Sequence, residues 1–428
     1  MSVATDAPSS VDVAIVGAGA AGLATAIFLR RSNHARSTIL LDGARQPGAK
    51  ILVSGGTRCN VTNRSVAERD FWGGRSSSVR RVLQAFTAED AAAWFRRLGV
   101  ALHEEADGKL FPDSGRARDV LAALLREAAA AGVDLRAGHR VLDVMRHGHA
   151  FDVVTTRGTF RSRDVVLATG GESLPKTGSD GAGHAFASRL GHSIVPTTPA
   201  LAPLILDPAS EAAIHRQLSG TSQVVEASLW IDGRVATRIA GPLLWTHFGI
   251  SGPAALNVSR HWLRGRLEKR DTRITLNFLP GRTFEEEDAR WVAASASRPR
   301  ATATTILAEE VPASVAAALL GSLKIDPHVA LAHLTRDDRR RLVHAMIEWP
   351  LPVIDSRGYT FAEATAGGVS LDEINPTTME SRKCPGLYLV GEMLDVDGRL
   401  GGFNFQWAWS SGYVAGLALA RRTEPHGS

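Results

Sequence analysis

The sequence predicts an α/β protein in which a Rossmann-like dinucleotide-binding domain is interrupted by an inserted β subdomain and an inserted helical subdomain. Three observations indicate this fold class. Residues 11–31 form an apolar run, a glycine-rich turn and an amphipathic tail; buried-strand patterns recur near residues 164 and 386; and hairpin patterns give way to helical periodicity between Pro196 and Ala364. At 428 residues, 44% of them hydrophobic, the chain is long enough for two or three domains.

The first strand–turn–helix unit carries the strongest motif. Gly17 permits a tight turn, Gly19 lets the backbone approach a pyrophosphate, and Gly22 lets the helix pack on the strand, so that phosphates meet free N–H groups at the helix N-terminus. A second strand, Thr38–Leu41, ends in Asp42, at the distance expected for the acid that binds a ribose hydroxyl. The predicted dinucleotide-binding residues of this unit are Gly17, Ala18, Gly19, Ala20, Ala21, Gly22, Asp42 and Gly43.

Neither a signal peptide nor a membrane anchor is expected from the uncharged run Val13–Leu29. No Lys or Arg precedes this run, no cleavage-like site follows it, and it is shorter than a typical membrane span. The two cysteines, Cys59 and Cys384, lie far apart and outside any CxxC pair, which favours a reducing compartment over a disulfide framework. We therefore expect a cytoplasmic protein that does not associate with membranes.

The charge balance excludes little about partners. The chain has 49 Lys and Arg against 44 Asp and Glu, and this surplus implies at most a mild attraction to anionic ligands. The arginine-rich stretch Arg336–Arg341 is interrupted by two acids on a predicted helix, so we expect a solvated face there. His147 and His149 adjoin a turn without a nearby carboxylate or thiol, so no metal site is expected.

A polar segment, residues 43–65, follows Asp42. Its Gly, Ser, Thr and Asn content predicts a loop rather than a regular element. Its cations Arg45, Lys50 and Arg58 lie near Ser54-Gly55-Gly56 and could donate to the phosphates or the ring of a cofactor. Because the segment comes directly after the ribose-binding acid, we expect it to cover the cofactor.

Residues 87–190 are predicted to form helices, a short meander and a returning strand. Thr87, with an acid three residues later, is typical of a capped helix start. The predicted elements are the helices Ala88–Leu98, Arg118–Ala131 and Ala182–Leu190, the meander Val133–Arg136, Arg140–Val144, Phe151–Thr155 and Thr159–Arg161, and the buried strand Asp164–Thr169. Glycines follow that strand at its carboxyl end, where a ligand can approach a sheet.

The inserted part shows two kinds of sequence pattern, one typical of strands and one typical of helices. Asp232-Gly233 is a strong hairpin signal between two strand patterns, whereas Phe284–Glu348 is almost wholly helical in periodicity. The predicted strands are Val224–Ile231, Val235–Ile239 and Arg273–Phe278. The predicted domains are a discontinuous dinucleotide-binding domain at 1–195 and 350–428, an inserted β subdomain at 196–282, and an inserted helical subdomain at 283–349.

The closing segment returns to the first domain. It combines a buried strand, Gly386–Val390, a glycine-rich turn, Gly398–Gly402, and a last helix, Asn404–Arg421. A glycine-rich turn that leads into a helix offers a second set of backbone N–H groups to an electron-rich ligand atom.

Taken as a set, these motifs resemble the BaiN-like (YhiN-type) bacterial flavoproteins and, more distantly, the fumarate-reductase flavoprotein group. The matching segments span nearly the whole chain in order: VAIVGAGAAGLATAIFL from Val13, GAKILVSGGTRCNVTN from Gly48, LATGG from Leu167, GSDGAGHAFASRLGH from Gly178, HFGISGPAAL from His247, AGGVSLDEINPTTMESRKCPGLYLVGEMLDVDG from Ala366 and GGFNFQWAWSSGYVAG from Gly401.

The resemblance implies an FAD-binding domain with an insertion made of a β-barrel-like part and a helical part. It also implies a set of cofactor contacts: Lys50, Ser54, Gly55, Arg58, Cys59 and Asn60 along the cofactor, Val141 at the adenine, Ala168, Thr169 and Gly170 at its border, Gly391, Glu392 and Asp395 near the ribityl chain, and Gly402, Asn404, Phe405 and Gln406 where the last helix meets the flavin ring. The chain departs from related chains at Asp42, often Glu, at Thr57, often Gly, and at Phe403, often Tyr.

The implied activity is that of an FAD-dependent oxidoreductase with a small-molecule substrate. No second GxGxxG with its own acidic strand follows the first, so NAD(P)H, as electron donor, would dock transiently. We rank an NAD(P)H-linked reductase of a small or steroid-like unsaturated oxo substrate, acting by hydride transfer through flavin N5, ahead of an oxidase of small amines or aminoketones that uses O2. A flavin-bearing RNA-binding or redox-sensing protein without turnover is the alternative from another class, and we do not expect nucleic acid as a partner.

Three residues are candidate catalytic groups. His247 lies in a motif of the resemblance and is the first candidate proton donor, ahead of His103 and His184. Cys59 is a candidate thiol, although packing beside the cofactor is the stronger expectation because no partner cysteine is near it in sequence. Asn404 would lie at a helix N-terminus that faces the flavin and favours its anionic reduced form.

Overall fold

The computed structural model describes residues 9–422, which divide into two compact units, one up to Thr197 and again from Glu363, the other Thr198–Ala362. Strands β1 to β21 are, in order, Ser9–Val16, Thr38–Leu41, Thr62–Asn63, Phe71–Gly73, Leu102–Glu105, Lys109–Pro112, Asp134–Arg136, Val141–His147, Ala150–Thr155, Gly158–Leu167, Ile194–Ala200, Leu204–Leu206, Ser222–Ile231, Arg234–Thr246, Gly249–Ser251, Thr272–Asn277, Trp349–Leu351, Val353–Ser356, Ala364–Val369, Leu387–Leu389 and Val396–Gly398. Helices α1 to α12 are Ala20–Ser32, Ala49–Thr57, Ser76–Ala85, Ala88–Arg97, Ala117–Ala130, Ala182–Arg189, Gly252–Leu267, Phe284–Ser297, Ala303–Ala308, Ala313–Leu323, Arg336–Ile347 and Phe403–Arg421.

The first unit contains a sheet in the order β7-β2-β1-β10-β9-β8, with β20 beside β10. Strands β7, β2, β1, β10 and β20 are parallel, and β9 and β8 extend the sheet with antiparallel pairing. The register sets Val13 beside Asp164, so the returning strand lies next to the strand that carries the glycine motif. This arrangement confirms the predicted Rossmann-like α/β fold.

The predicted meander is wrong in two respects. The segment near Val133 is strand β7, which pairs in parallel with β2, so it belongs to the parallel sheet and not to an antiparallel meander. Thr159–Arg161 and the strand predicted from Asp164 are one continuous strand, β10. Local alternation predicted strands correctly here, but the choice of neighbour depends on the crossover helix α5, which brings β7 to the sheet edge.

Helix α2 lies inside the segment predicted to be a loop. The run that follows Gly48 includes the strong helix formers Ala49, Lys50 and Leu52, and it folds as a helix until Ser54, where the backbone turns away from helical geometry. Thr57 and Cys59 then take left-handed conformations, with φ of 69° and 62°. The loop prediction is therefore wrong for the start of the segment, because the polar composition of its second half obscured the helix.

The second unit has its own hydrophobic core, which both its sheet and its helices share. Its sheet has the order β17-β16-β13-β14-β15-β12-β18. Only Pro352 separates β17 from β18 in the chain, so the two ends of the sheet lie close together, as in the expected barrel-like part. The hairpin at Asp232-Gly233 is confirmed, with φ of 50° and 76°.

Strands β17 and β18 pair with β16 and β12. The second unit therefore extends to Ala362, beyond the boundary predicted at residue 349. The packing reason is that these strands complete the sheet edges around which the unit is built. In the described part of the chain, no helix combines the length and apolarity that crossing a bilayer requires.

Candidate functional site

The turn between β1 and α1 has the geometry that a dinucleotide requires. Gly17 has φ of 103°, and a Cβ added to Gly22 would lie 1.9 Å from the Gly17 carbonyl oxygen, so neither position accepts a side chain. A Cβ added to Gly19, in contrast, would meet no heavy atom of the protein within 4 Å. Helix α1 has no acid in its first turn, so its positive end adjoins this open space and fits a pyrophosphate.

Asp42 connects the end of β2 to this turn. One carboxylate oxygen accepts the Ala18 N–H at 2.8 Å, and the other accepts the Ala44 N–H at 2.7 Å. Burial raises the pKa of this carboxyl group, while the two backbone donors oppose that shift. The side chain is thereby held in one orientation, and its remaining lone pairs could accept ribose hydroxyls.

Lys50 reaches a polar cluster that joins distant parts of the chain. Its Nζ donates to Ser173 Oγ at 2.5 Å and forms an ion pair with Glu392. The other oxygen of Glu392 accepts Ser173 Oγ–H at 2.6 Å and the Thr365 N–H at 3.0 Å. Sequence reasoning missed Ser173 and Thr365; the signal for Ser173 is its place two residues after the glycines that follow the returning strand.

The loop after α2 contains a buried thiol and an unsatisfied amide oxygen. Cys59 is fully buried, and burial raises the pKa of its thiol to about 12, although a hydrogen bond with Ser54 lowers it. The thiol is therefore protonated at neutral pH. Within residues 9–422, the buried Oδ1 of Asn60 has no hydrogen bond partner, as expected for a group that awaits a bound ligand.

Gly391, although it lies near the end of the chain, packs against the glycine motif at the start of α1. A Cβ added there would lie 2.8 Å from the Ala21 Cβ, and its backbone is held by Ser411 Oγ at 3.0 Å and Trp407 Nε1 at 3.1 Å. Asp395 is anchored through its backbone, which donates to Val369 and accepts from Gly74. The predicted ribityl motif therefore approaches the start of α1.

The returning strand also brings its last residues to this turn. A Cβ added to Gly17 would lie 2.5 Å from the Ala168 carbonyl oxygen, and Thr169 follows directly. Gly170, with φ of 74°, packs against Ser179. Ala168 and Thr169 thus lie beside the Gly17 turn, and Gly170 lies beside Ser179.

The start of α12 is held by its own side chains. Both polar atoms of the Asn404 amide bond the backbone of Gly398, at 2.8 and 3.0 Å. Gln406 is fully buried, accepting from Thr62 Oγ1 at 2.6 Å and donating to the Phe86 carbonyl at 2.8 Å. The Asn404 amide thereby closes the Gly398–Gly402 turn, whereas the Gln406 amide ties α12 to Thr62 and Phe86. Phe405 stacks on Trp409 with 5.5 Å between ring centroids.

The remaining predicted contacts differ in burial. Arg58 forms an ion pair with Glu105 at 2.6 Å and stacks over Phe111, and Arg45 is exposed. Val141 is buried at the start of β8. The residue before it, Arg140, packs against the position of Gly43, so Val141 lies close to the segment that follows Asp42.

The three candidate histidines differ in environment. His103 is exposed and lies 3.2 Å from Asp113. His184 is only 7% exposed; neither ring nitrogen has a hydrogen bond partner in the described chain, although Glu172 is 3.5 Å away. His247 belongs to the second unit, where it is exposed and contacts Phe248 edge-on. Residues 9–422 contain no cluster of side chains suited to a metal ion.

Comparison with known proteins gives one family and two kinds of relative. A family model described as an HI0933-like protein Rossmann domain matches residues 11–418. A ribosomal RNA dihydrouridine synthase of Escherichia coli (strain K12) is 33% identical over 416 residues, covering 95% of this chain and 98% of that protein. A 3-dehydro-bile acid delta(4,6)-reductase of Clostridium scindens is 31% identical over 412 residues, covering 96% and 99%. A quinol-fumarate reductase with menaquinol molecules shares the fold, with 17% identity, a TM-score of 0.52 and coverage of 99% of this chain and 73% of that one.

Proposed function

The chain belongs to the HI0933-like Rossmann-domain family and is an FAD-dependent oxidoreductase, and on that premise we propose that it reduces a carbon–carbon double bond conjugated to a carbonyl group. The proposed substrate is the uracil ring in ribosomal RNA, and the proposed electron donor is NAD(P)H. Both occur in the cytoplasm, where we place the enzyme. This proposal keeps the predicted reaction type and changes the expected substrate from a small molecule to a nucleic acid.

One observation carries the proposal. Two enzymes match nearly the whole chain, and the names of both describe chemistry at a carbon–carbon double bond conjugated to a carbonyl group. The uracil ring has a double bond conjugated to a carbonyl, and saturation of that bond gives dihydrouridine. The second relative is named as a reductase of an oxo compound with conjugated unsaturation. A shared protein scaffold for both substrates points to the conjugated double bond as the common reacting group.

The proposed step balances with NAD(P)H as the reductant. NAD(P)H loses a hydride, and uracil gains that hydride at the carbon β to its carbonyl and a proton at the α carbon. FAD, when bound, supplies hydride transfer through its N5 atom.

The chain's own residues would bind and orient the cofactor. The open space at Gly19 and the N-terminus of α1 fit the pyrophosphate, and Asp42 fits a ribose. Lys50, held by Glu392 and Ser173, would place a positive charge beside the cofactor. Because the Cys59 thiol is protonated, we assign it a packing role. His184 and His247 remain candidate proton donors.

A steroid-like unsaturated oxo compound is the second candidate substrate. The 31% identity to the bile acid reductase over 96% of this chain favours it. The identity to the ribosomal RNA enzyme is slightly higher, at 33%. We rank the RNA first for this reason.

An anaerobic titration tests both donor and acceptor. The FAD-loaded protein is titrated with NADPH and then NADH, and the visible band of the oxidised flavin is followed. Unmodified transcribed ribosomal RNA, or a conjugated oxo-steroid, is then added. We expect bleaching by a nicotinamide, recovery of the band with RNA, and dihydrouridine in the digested RNA by mass spectrometry. Recovery with the steroid alone would favour the second candidate, and a flavin that no nicotinamide reduces would contradict the proposed donor.

A further inference from the structure

We propose that three stacked side chains of the second unit, Phe361, Arg357 and Phe248, form a platform on which an unpaired nucleobase of the RNA stacks. We call these three residues the aromatic column. The inference rests on the proposed RNA substrate and assigns a binding site for it. The ligand class is single-stranded RNA, recognised through the flat face of a base and a neighbouring phosphate.

The column is a partly exposed guanidinium in contact with two aromatic rings. The Arg357 Cζ lies 3.4 Å from the ring centroid of Phe361 and 4.6 Å from that of Phe248. The His247 ring continues the column, 5.2 Å from the Phe248 ring and nearly perpendicular to it. Phe361 is 44% exposed, so much of a large aromatic surface faces solvent beside a cation.

Backbone hydrogen bonds hold both halves of the column in place. The Arg357 N–H donates to the Pro203 carbonyl at 2.9 Å, and the Phe361 N–H donates to the Gly358 carbonyl at 3.1 Å. The Phe248 carbonyl accepts the Leu206 N–H at 3.1 Å. Strand β12 lies between β15 and β18, with Phe248 beside Leu206 at one end of β12 and Arg357 beside Pro203 at the other, so the long Arg357 side chain reaches across β12 to the Phe248 ring. The column is thereby preorganised, which lowers the entropic cost of binding.

The charge at this site favours RNA over an apolar ligand. Among residues 9–422, no carboxylate lies within ion-pair distance of Arg357, so its charge is available to a phosphate. Bases of unpaired RNA stack on Phe and on arginine planes, and such stacking tolerates every base because each has a π face. A steroid offers neither a fully planar aromatic face nor a phosphate.

Binding of a short oligouridine tests the column. Fluorescence anisotropy is measured with the full-length FAD-loaded protein and a labelled oligouridine over a range of salt concentrations. We expect Phe361→Ala to weaken binding about tenfold or more and Phe361→Tyr to retain it, because only the first loses the stacking face. Arg357→Gln should lower the slope of log affinity against log salt by about 0.7, the value for one phosphate contact on a single strand. Ile354→Ala, which removes another exposed apolar side chain of the same unit, is the matched control and should bind normally.

The outcomes separate this inference from the proposed function. If Phe361→Ala and Arg357→Gln, both with normal FAD content, bind oligouridine as the unaltered protein does, the column is not an RNA site. If the two variants bind a conjugated oxo-steroid more weakly but bind oligouridine normally, the column is likewise not an RNA site. If the unaltered protein forms dihydrouridine while these variants keep full affinity, the proposed function stands and the column fails. If binding depends on the column but no uridine is reduced, the column stands and the proposed function fails.

Discussion

Thr57, the last residue of α2, shows at the scale of one residue how this segment departs from regular structure. Its φ of 69° places a β-branched side chain in the left-handed region. Such a conformation costs about 1–3 kcal/mol. We therefore expect Thr57→Gly to raise the free energy of unfolding of the FAD-loaded protein by about 1 kcal/mol, measured by urea titration.

The neighbouring glycine provides the matched control for this prediction. Gly56 has φ of 66°, and a Cβ added to it would meet no atom within 4 Å, so only backbone strain opposes a side chain there. Gly56→Ala should therefore destabilise the protein by about 1 kcal/mol. Equal stability of Thr57→Gly and the unaltered protein would show that the local backbone relieves the strain in another way.

Cys59 allows a second test at the same scale. Because its thiol is buried and its pKa is about 12, we expect no alkylation of Cys59 by iodoacetamide at about pH 8 in the native FAD-loaded protein. Peptide mass spectrometry gives the measurement, with the urea-unfolded protein as the control in which both cysteines react. Rapid labelling of native Cys59, together with loss of flavin reduction, would restore it as a catalytic candidate.

At the scale of one element, the N-terminus of α1 depends on open space at Gly19. Gly19→Ala should leave the fold unchanged, because the added methyl group meets no protein atom within 4 Å. It should weaken FAD binding about tenfold or more, because the methyl group fills the space assigned to the pyrophosphate. Retained FAD is measured by the flavin absorbance after dialysis.

Gly321 in α10 is the control for this element. A Cβ at Gly321 also meets nothing within 4 Å, and the residue lies in a helix of the second unit. Gly321→Ala should therefore keep FAD and increase stability by up to about 1 kcal/mol through helix propensity. If both variants retain FAD equally well, the space at Gly19 does not hold the pyrophosphate.

At the scale of the whole molecule, buried histidines should make the fold sensitive to acid. Burial lowers the pKa of His261 from 6.5 to about 3, so the unfolded chain binds its proton between those values and the folded chain does not. The contribution of neutral His261 to the free energy of unfolding is therefore fully present above about pH 6.5 and is lost as the pH falls. We expect a loss of about 2 kcal/mol between pH 7 and pH 5.

Urea midpoints at these two pH values measure the effect. His261→Gln should show a smaller difference between them, whereas replacement of the exposed His149 by Gln should not change it. A difference of the same size in His261→Gln would mean that other groups cause the acid sensitivity.

The chain path predicts that the first unit folds without the second. Thr197 Oγ1 donates to Glu172 at 2.9 Å, and the Glu363 carbonyl accepts from Ser173 at 3.4 Å, so both ends of the insertion contact adjacent residues. Replacement of 198–362 by a short Gly-Ser linker should give a folded, yellow protein. Its flavin content and circular dichroism are the measurements; a colourless, unfolded product would show that the second unit is required for the first to fold.

Local patterns determined the elements that are stabilised by their own residues. The glycine turn after β1, the hairpin at Asp232-Gly233 and the helix that begins after Thr87 all follow from backbone preference, capping and periodicity, and the structure confirms them. The family motifs also predicted the cofactor, FAD, and the reaction class, oxidoreduction. Such signals can be recognised in a single sequence because each depends only on residues a few positions apart.

Only the tertiary structure decided which distant residues meet. Lys50 and Glu392 are 342 positions apart, and their pairing depends on three segments that converge after the sheet strands. The amide of Gln406 is engaged by Thr62 and Phe86, which lie more than 300 positions before it in the chain. The stacking of Arg357 on Phe248 depends on the order of β15, β12 and β18. Spacing along the chain carries no record of these contacts, because burial and long-range hydrogen bonding select a partner only after the elements have packed.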